Sequence, residues 1–222
     1  MSRTLAIGDI HGCLSALETL AEFAQFADSD RLVTLGDYVD RGPDSAGVLD
    51  WEIARFAPGQ LVPLRGNHEV MMLAALNGAD TSDWLRYGGR ETLQSYARRG
   101  DGGTLDAVPE RHIRFMQNDC LPIFETERNI FVHAAVQDDL PVSEQPEWLI
   151  YWERWNDPPP HVSGKTVVCG HTAQRSGLPA SNDCSSCIDT GVYHTGWLTC
   201  LDVDTGQFWQ AHTDGDTRVD WL

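Results

Sequence analysis

The chain has 222 residues and a formal net charge of −17, with 33 acidic against 16 basic residues and Lys165 as the only lysine. That balance excludes an ordinary nucleic-acid binder, because phosphate backbones call for clustered Lys and Arg and the sequence shows no such patch. No apolar run is long enough to cross a bilayer, so no membrane partner is expected, and the length suits one domain with a substantial core.

In chain order, Thr4–Ile7 is a short apolar run that reads as a buried strand, and Gly8-Asp9-Ile10-His11-Gly12 follows it. A strand so close to the N-terminus leads us to expect no signal peptide and a cytoplasmic protein. From Cys13 to Phe26, the residues Leu14, Leu17, Leu20, Ala21 and Ala24 line one face of a helix. Leu32–Leu35 is the second strand, followed by Gly36-Asp37-Tyr38-Val39-Asp40-Arg41-Gly42. Pro43 marks the start of a helix over Asp44–Phe56, which Ala57-Pro58-Gly59 ends. Leu61–Leu64 is the third strand, Gly66-Asn67-His68-Glu69 a loop, and Met71, Met72, Leu73 and Leu76 continue as a helix. This alternation of strand and helix implies parallel pairing.

Residues 78–119 differ. They are polar, carry Gly88-Gly89 and a glycine cluster at 100–103, and suggest helices over Arg90–Arg99 and Pro109–Asn118. The segment reads either as a small helical cap over a site or as an outer helical layer. Ile123–Glu125 and Asn129–Val132 suggest a strand pair. The aromatic residues Trp148, Tyr151, Trp152 and Trp155 read as core. From Val167 onward, short alternating segments suggest strands of a second sheet, including Trp197–Val203 and Phe208–His212 joined by a turn at Asp204-Thr205-Gly206. The six cysteines are read as reduced thiols, since Cys184 and Cys187 lack the second pair that a structural zinc needs. His112, His161, His194 and His212 stand outside the motifs and are given no site role.

Three loops that follow strands thus carry Asp, His and Asn. Loops at the carboxyl ends of strands are where open α/β sheets bind ligands. Hard oxygens and neutral imidazoles suit divalent metals, and a neighbouring Arg suits an anion.

These three motifs, with Phe131-Val132-His133-Ala134, Val167–Thr172, Cys187–Gly191 and Gly196–Thr199 downstream, resemble the phosphoprotein phosphatase family within the calcineurin-like metallophosphoesterases. The resemblance covers almost the whole chain. It implies an α/β fold: a sandwich of two mixed β-sheets flanked by helices, one domain over residues 1–222. It implies two divalent metals, manganese foremost with iron or zinc as alternatives. Asp9 and His11 would hold one metal and Asn67, His133 and His171 the other, with Asp37 bridging. A hydroxide between the metals would attack phosphorus in line. His68 would be the general acid and Asp40 its partner. Arg41, Asn67 and Arg154, the last from Trp152-Glu153-Arg154, would meet the phosphate. Glu69 and Asp189 are expected to orient the metal-binding imidazoles.

Ala134-Ala135 stand where eukaryotic protein phosphatases carry two glycines, so the likeness is to the bacterial branch. Trp84–Gly89 and Thr92–Tyr96 are similar to a stretch of bacterial members. Symmetrical diadenosine tetraphosphatases share much of the pattern but typically carry Ala in place of Asp40 and Asp in place of Glu69. The expectation is therefore a phosphatase acting on phosphoserine, phosphothreonine or small phosphoesters. A dinucleoside-polyphosphate hydrolase is the alternative, and a non-catalytic binding module of the same fold comes third. The assembly is expected to be a monomer or an oligomer that the sequence does not specify.

Overall fold

The computed structural model describes residues 2–56 and 60–222; the helix end expected at 57–59 lies outside the described residues. Strand β1 (Thr4–Ile7) leads to helix α1 (Leu14–Phe23), which buries Ala16, Leu17 and Leu20. β2 (Arg31–Thr34) leads to α2 (Ser45–Arg55). Asp44 caps α2 by accepting from the Gly47 amide at 3.0 Å, which satisfies one of the unpaired donors of its first turn. β3 (Leu61–Pro63) runs into α3 (Asn67–Leu76). The residues expected as a loop, Asn67 to Glu69, are therefore the first turn of α3. Glu69 sets that start, because its carboxylate reaches back to the Gly66 amide at 2.9 Å.

β1, β2 and β3 pair in parallel and form one half of a six-stranded sheet. β4 (Ile123–Glu125), β5 (Asn129–Val132), β6 (Thr166–Cys169), β7 (Ala180–Asn182) and β8 (Ser185–Cys187) form a second sheet in the order β4-β5-β6-β8-β7. Its inner strands β5, β6 and β8 are parallel and its edges antiparallel. The chain then returns. β9 (Trp197–Asp202) pairs antiparallel with β1, and β10 (Gln207–His212) and β11 (Thr217–Trp221) follow it outward.

Two expectations fail here. The segments Trp197–Val203 and Phe208–His212 belong to the first sheet, not the second. Alternation along a strand tells which face is buried but not which neighbour it takes, and β9 is buried on both faces as a central strand. β11 was not expected at all, because its mostly exposed Thr-Arg-Val-Asp-Trp sequence carries no apolar signal.

Between the sheets lie Ala6, Val33, Leu35, Leu64, Phe131, Val168 and Ile188, all fully or nearly fully buried. A larger cluster joins the outer face of the first sheet to α1, α2 and α3. The second sheet is covered by a short helix, Glu147–Trp152, which buries Leu149, Ile150 and Tyr151. Trp148 and Trp152 of that helix are exposed at 58% and 45%, so they are not core as the aromatic spacing suggested. Six residues of helix offer only one face to the sheet.

Residues 78–119 run along α2. A turn at Ser82–Trp84 continues through Leu85–Gly89, kinked at Gly88, into a helix over Arg90–Arg98. Ser95 accepts from the Ala46 amide of α2 at 3.1 Å, and His112 links Tyr96 to Asp50 of α2 through contacts of 2.8 and 2.9 Å. The segment is thus a helical layer beside α2, and its Arg86, Tyr87 and Arg90 reach toward the site described next.

Phe131 sits at the centre of the inter-sheet layer. Phe131→Ala is expected to cost roughly 3–5 kcal/mol of unfolding free energy, the range for deleting a buried aromatic ring. Denaturant titration measures it. A cost below about 1 kcal/mol would show that this layer does not hold the sheets together.

Candidate functional site

All six parallel strands point their carboxyl ends at one place. Asp9 and His11 follow β1, Asp37 to Arg41 follow β2, and Asn67 and His68 open α3 after β3. His133 follows β5, His171 follows β6 and Asp189 follows β8. The backbone is strained there. Of seven non-glycine residues with positive φ among the described residues, five are His11, Asp37, Asp40, Arg41 and His171. L-residues avoid this region, and such conformations concentrate where function requires them.

Asp37 is the centre. It is 2% exposed, and its carboxylate faces His11 Nε2 at 3.4 Å, His133 Nε2 at 3.5 Å and His68 Nε2 at 3.9 Å. The His68 amide, at the N-terminus of α3, donates to it at 3.0 Å. Burial alone would raise its pKa, but the surrounding imidazoles, His133 foremost, hold it below the usual carboxylate range. Ligand atoms of Asp9, Asp37 and His133 lie within 4.8 Å of one another, as do those of His11, Asp37 and His68, so Asp37 belongs to both clusters. Asn67 Oδ1 closes the arrangement, 2.9 Å from His133 Nε2 and 3.0 Å from His171 Nδ1.

The backbone orients three of the imidazoles. His11 donates Nδ1–H to Val39 O at 2.9 Å, His133 donates Nδ1–H to Leu35 O at 2.8 Å, and His171 donates Nε2–H to Trp152 O at 3.2 Å. Each carbonyl fixes the tautomer that turns the other nitrogen's lone pair inward. Burial lowers the pKa of all three, His171 to about 4, which keeps them neutral as ligands must be. The orienting acceptors are thus backbone carbonyls, not the side chains of Glu69 and Asp189. Glu69 instead gathers four backbone amides, those of Gly66, Asp37, Tyr38 and Val39, and so ties the β2 loop to the start of α3. Asp189 accepts from the Gly191 amide at 2.8 Å; burial and the charge of Asp37 push its carboxyl up to about 6. Asp9 is raised too, by burial, Asp189 and Asp37, while the His171 amide donates to it at 3.0 Å. Three buried carboxylates facing inward lone pairs are electrostatically incomplete by themselves. Divalent cations complete them, and the mixed oxygen and imidazole donor set fits such ions.

Beside this cluster stands a second unit. His68 Nδ1 donates to Asp40 Oδ2 at 2.7 Å, with both residues buried. Asp40 also accepts from Trp84 Nε1 at 3.0 Å and from the Thr92 hydroxyl at 2.7 Å. Burial works against the His68 cation, but Asp37 and Asp40 more than offset it and raise its pKa. Its Nε2 side faces Asp37 and the cavity.

Arg41 is half-buried. Its guanidinium lies 4.5 Å from the Tyr193 ring centre and donates to His11 Nε2 at 2.8 Å. A cavity of about 580 Å³ opens above the site, lined among others by Arg41, Asn67, His68, Tyr87, Arg154 and Arg175. Arg154 is exposed on its wall, away from the buried cluster. The structure therefore gathers Asp9, His11, Asp37, Asp40, Arg41, Asn67, His68, His133 and His171, and puts Arg154 at the rim. Sequence reasoning missed Trp84 and Thr92 as partners of Asp40, and missed Tyr193 and Arg175 in the cavity. Trp84 and Thr92 fall within a stretch noted only for its likeness to bacterial relatives, and nothing in the sequence marks Tyr193. Among the histidines set aside, His112 and His161 are buried in structural hydrogen bonds and His212 pairs with Asp214, whereas His194 does border the cavity. Cys184 and Cys187 direct their thiols to separate backbone carbonyls.

Residues 2–194 match the calcineurin-like phosphoesterase family. The chain is 32% identical to serine/threonine-protein phosphatase 1 of Salmonella typhimurium, over 87% of this chain and 88% of that protein. It is 33% identical to a symmetrical bis(5'-nucleosyl)-tetraphosphatase of Paracidovorax citrulli, over 68% of this chain and 58% of that protein. Among solved structures, a cold-active protein-tyrosine phosphatase of Shewanella shares the fold with a TM-score of 0.69 at 18% identity, covering 99% of this chain and 80% of its own.

Two divalent ions per chain are the expected result of metal analysis. Asp37→Asn should weaken both, by at least the roughly 10–100-fold that follows from altering groups behind a metal's ligands. A single tightly bound ion, or an Asp37→Asn protein that keeps full metal content, would contradict a shared bridge.

Proposed function

The chain belongs to the calcineurin-like phosphoesterase family, and from that premise we propose that it hydrolyses phosphate monoesters with poor leaving groups, phosphoserine and phosphothreonine above all. It is a hydrolase, so the non-catalytic reading falls away. The observation that carries the substrate reading is the Asp40–His68 pair, buried and held by Trp84 and Thr92.

The divalent ions, manganese by preference, would be held by Asp9, His11, Asp37, Asn67, His133 and His171, and supply charge neutralisation at the phosphoryl group and an acidified water. The protein's own groups do the rest. Arg41 and Arg154, with forked donors, hold the phosphoryl oxygens, and Asn67 lies beside them. His68 carries its proton on the Nε2 side toward the leaving oxygen, while Asp40 keeps the ring oriented and favours its charged form. An alkoxide leaves poorly and needs that proton. A nitrophenolate or a phosphoanhydride's phosphate leaves well and needs it less. A fully built acid pair is therefore most useful on seryl and threonyl phosphates. The relative named as a serine/threonine phosphatase, matched over nearly its full length, supports the same reading.

One observation favours a second reading. Tyr87 is 51% exposed at the cavity wall, a flat ring that would suit a base, and Arg175 stands in the same cavity. Both would serve a dinucleoside tetraphosphate. Assaying the manganese-loaded protein on an aryl phosphate, a phosphoserine peptide and diadenosine tetraphosphate decides between them by kcat/KM. A tetraphosphate preference would overturn the first reading.

The role of the acid is tested by its substitutions. His68→Asn should cost roughly a hundred- to ten-thousandfold on the phosphoserine peptide and far less on the aryl phosphate. Trp84→Phe, which removes one donor to Asp40, should show the same asymmetry more mildly. Equal losses on both substrates, with metal content intact, would mean that His68 does not protonate the leaving group. Arg154→Ala should lower kcat/KM on both substrates alike by about ten- to a hundredfold, as for one lost charge-assisted contact; near-wild-type kinetics would remove Arg154 from the phosphate clamp.

A further inference from the structure

The chain has twice as many acidic as basic residues, so an unpaired guanidinium is out of place on it. Among the described residues, Arg86, Arg90, Arg154 and Arg175 have no hydrogen-bond, ion-pair or ring partner for their side chains. Every other arginine has one: a carboxylate, an aromatic ring, an imidazole, or side-chain amide and backbone carbonyl oxygens. All four unpaired ones border the site. Arg154 and Arg175 line the cavity above the metal cluster, and Arg86 and Arg90 line an adjoining hollow of about 540 Å³ that shares Arg41, Tyr87 and Tyr193 with it.

The turn that carries Arg86 is locked in place. The Gly88 carbonyl accepts from the Arg41 amide at 3.2 Å. Gly88 has φ of 120°, and a Cβ there would meet the Arg41 backbone nitrogen at 2.5 Å. On its inner side the same stretch presses Trp84 onto Asp40. Its inner side chains serve the acid pair, while Arg86 and Arg90 stand outside, next to the guanidinium that faces the site.

We propose that Arg86 and Arg90 form a subsite for a second phosphate group on the substrate, on the Tyr87 side of Arg41. This rests on the reading of the site as a phosphoesterase and names which of its substrates it prefers: those carrying a further phosphate beside the scissile one. Two guanidiniums match a phosphate dianion in charge and in forked donors, whereas a carboxylate is satisfied by one. Glu91, the acidic residue on the same wall, opposes an anion, so both arginines are needed to hold one. The second phosphate is either another phosphoserine of a peptide or part of a nucleotide's phosphate chain.

The test uses the metal-loaded protein and the double variant Arg86→Gln with Arg90→Gln, which removes both charges and leaves polar side chains. Four substrates are compared: phenyl phosphate, a singly phosphorylated peptide, its doubly phosphorylated counterpart and diadenosine tetraphosphate. The double variant is expected to lose about tenfold or more in kcat/KM on the doubly phosphorylated peptide or on the tetraphosphate, and which of them falls identifies the source. Phenyl phosphate and the singly phosphorylated peptide should change less than about twofold. Equal losses on all substrates, or none, overturn the proposal. Fluorescence anisotropy with the labelled peptides and a labelled tetraphosphate gives a second readout. Whichever of the doubly phosphorylated peptide and the tetraphosphate is the source should bind the wild type at least about tenfold more tightly than the singly phosphorylated peptide, and that advantage should vanish in the double variant. A wild type that hydrolyses nothing yet shows this binding pattern would overturn the hydrolytic reading and keep the subsite; one that hydrolyses phenyl phosphate without the pattern would do the reverse.

Discussion

A buried carboxylate that must stay ionised governs this molecule. Asp37 is almost wholly out of water, where an isolated charge is prohibitively expensive. Its neighbours exist to make that tolerable. Three imidazoles face it, an amide from the first turn of α3 donates to it, and Glu69 fixes the backbone on both sides of it. The close approach of so many elements leaves no room for side chains at several points. A Cβ on Gly66 would run into the Asp37 carboxylate, and one on Gly170 into that of Asp9. The six parallel strands and their shared direction are how a chain of this size brings enough donors to one buried point.

The candidate site was legible where one of its residues comes just after a strand. Asp9, Asp37, His133 and His171 each come just after an apolar run, so pattern and chemistry could be read together. What was not legible depends on distance in sequence. Trp84 and Thr92 reach Asp40 from 44 and 52 residues away, and no local rule connects them. The placement of β9 and β10 was misread because β9 returns to pair with β1, a contact between the two ends of the chain that alternation cannot encode. The aromatic run at 148–155 was misjudged because composition says that a ring prefers burial but not how many faces a six-residue helix can cover. The sequence shows no basic patch for a reason of the first kind, distance along the chain. Arginines at 41, 86, 90, 154 and 175 are scattered along the chain and converge only after folding.

The layer formed by residues 78–119 joins packing to chemistry. Its helices lie on α2 through Ser95, Tyr96 and His112, which is ordinary structural work. Its kink at Gly88, with φ of 120°, breaks the regular helix. Here the break lets one continuous stretch bury an indole against Asp40 and still present guanidiniums to the hollow beside the cavity. The glycines at 88 and 89 allow it, since a side chain at either would strike Arg41 or the Trp84 ring.

The left-handed backbone at His11, Asp37, Asp40, Arg41 and His171 sets function against robustness. Conformations of this kind cost on the order of 1–3 kcal/mol each for an L-residue, and glycine adopts them freely. Selection for thermal tolerance alone would therefore find relief at these five positions by deleting the side chains that we propose serve turnover. A heat-hardened population of variants would be enriched in well-folded, inactive protein. The fold is held below its attainable stability by its own chemistry, and screens of this enzyme that read out only solubility or melting temperature would move away from catalysis.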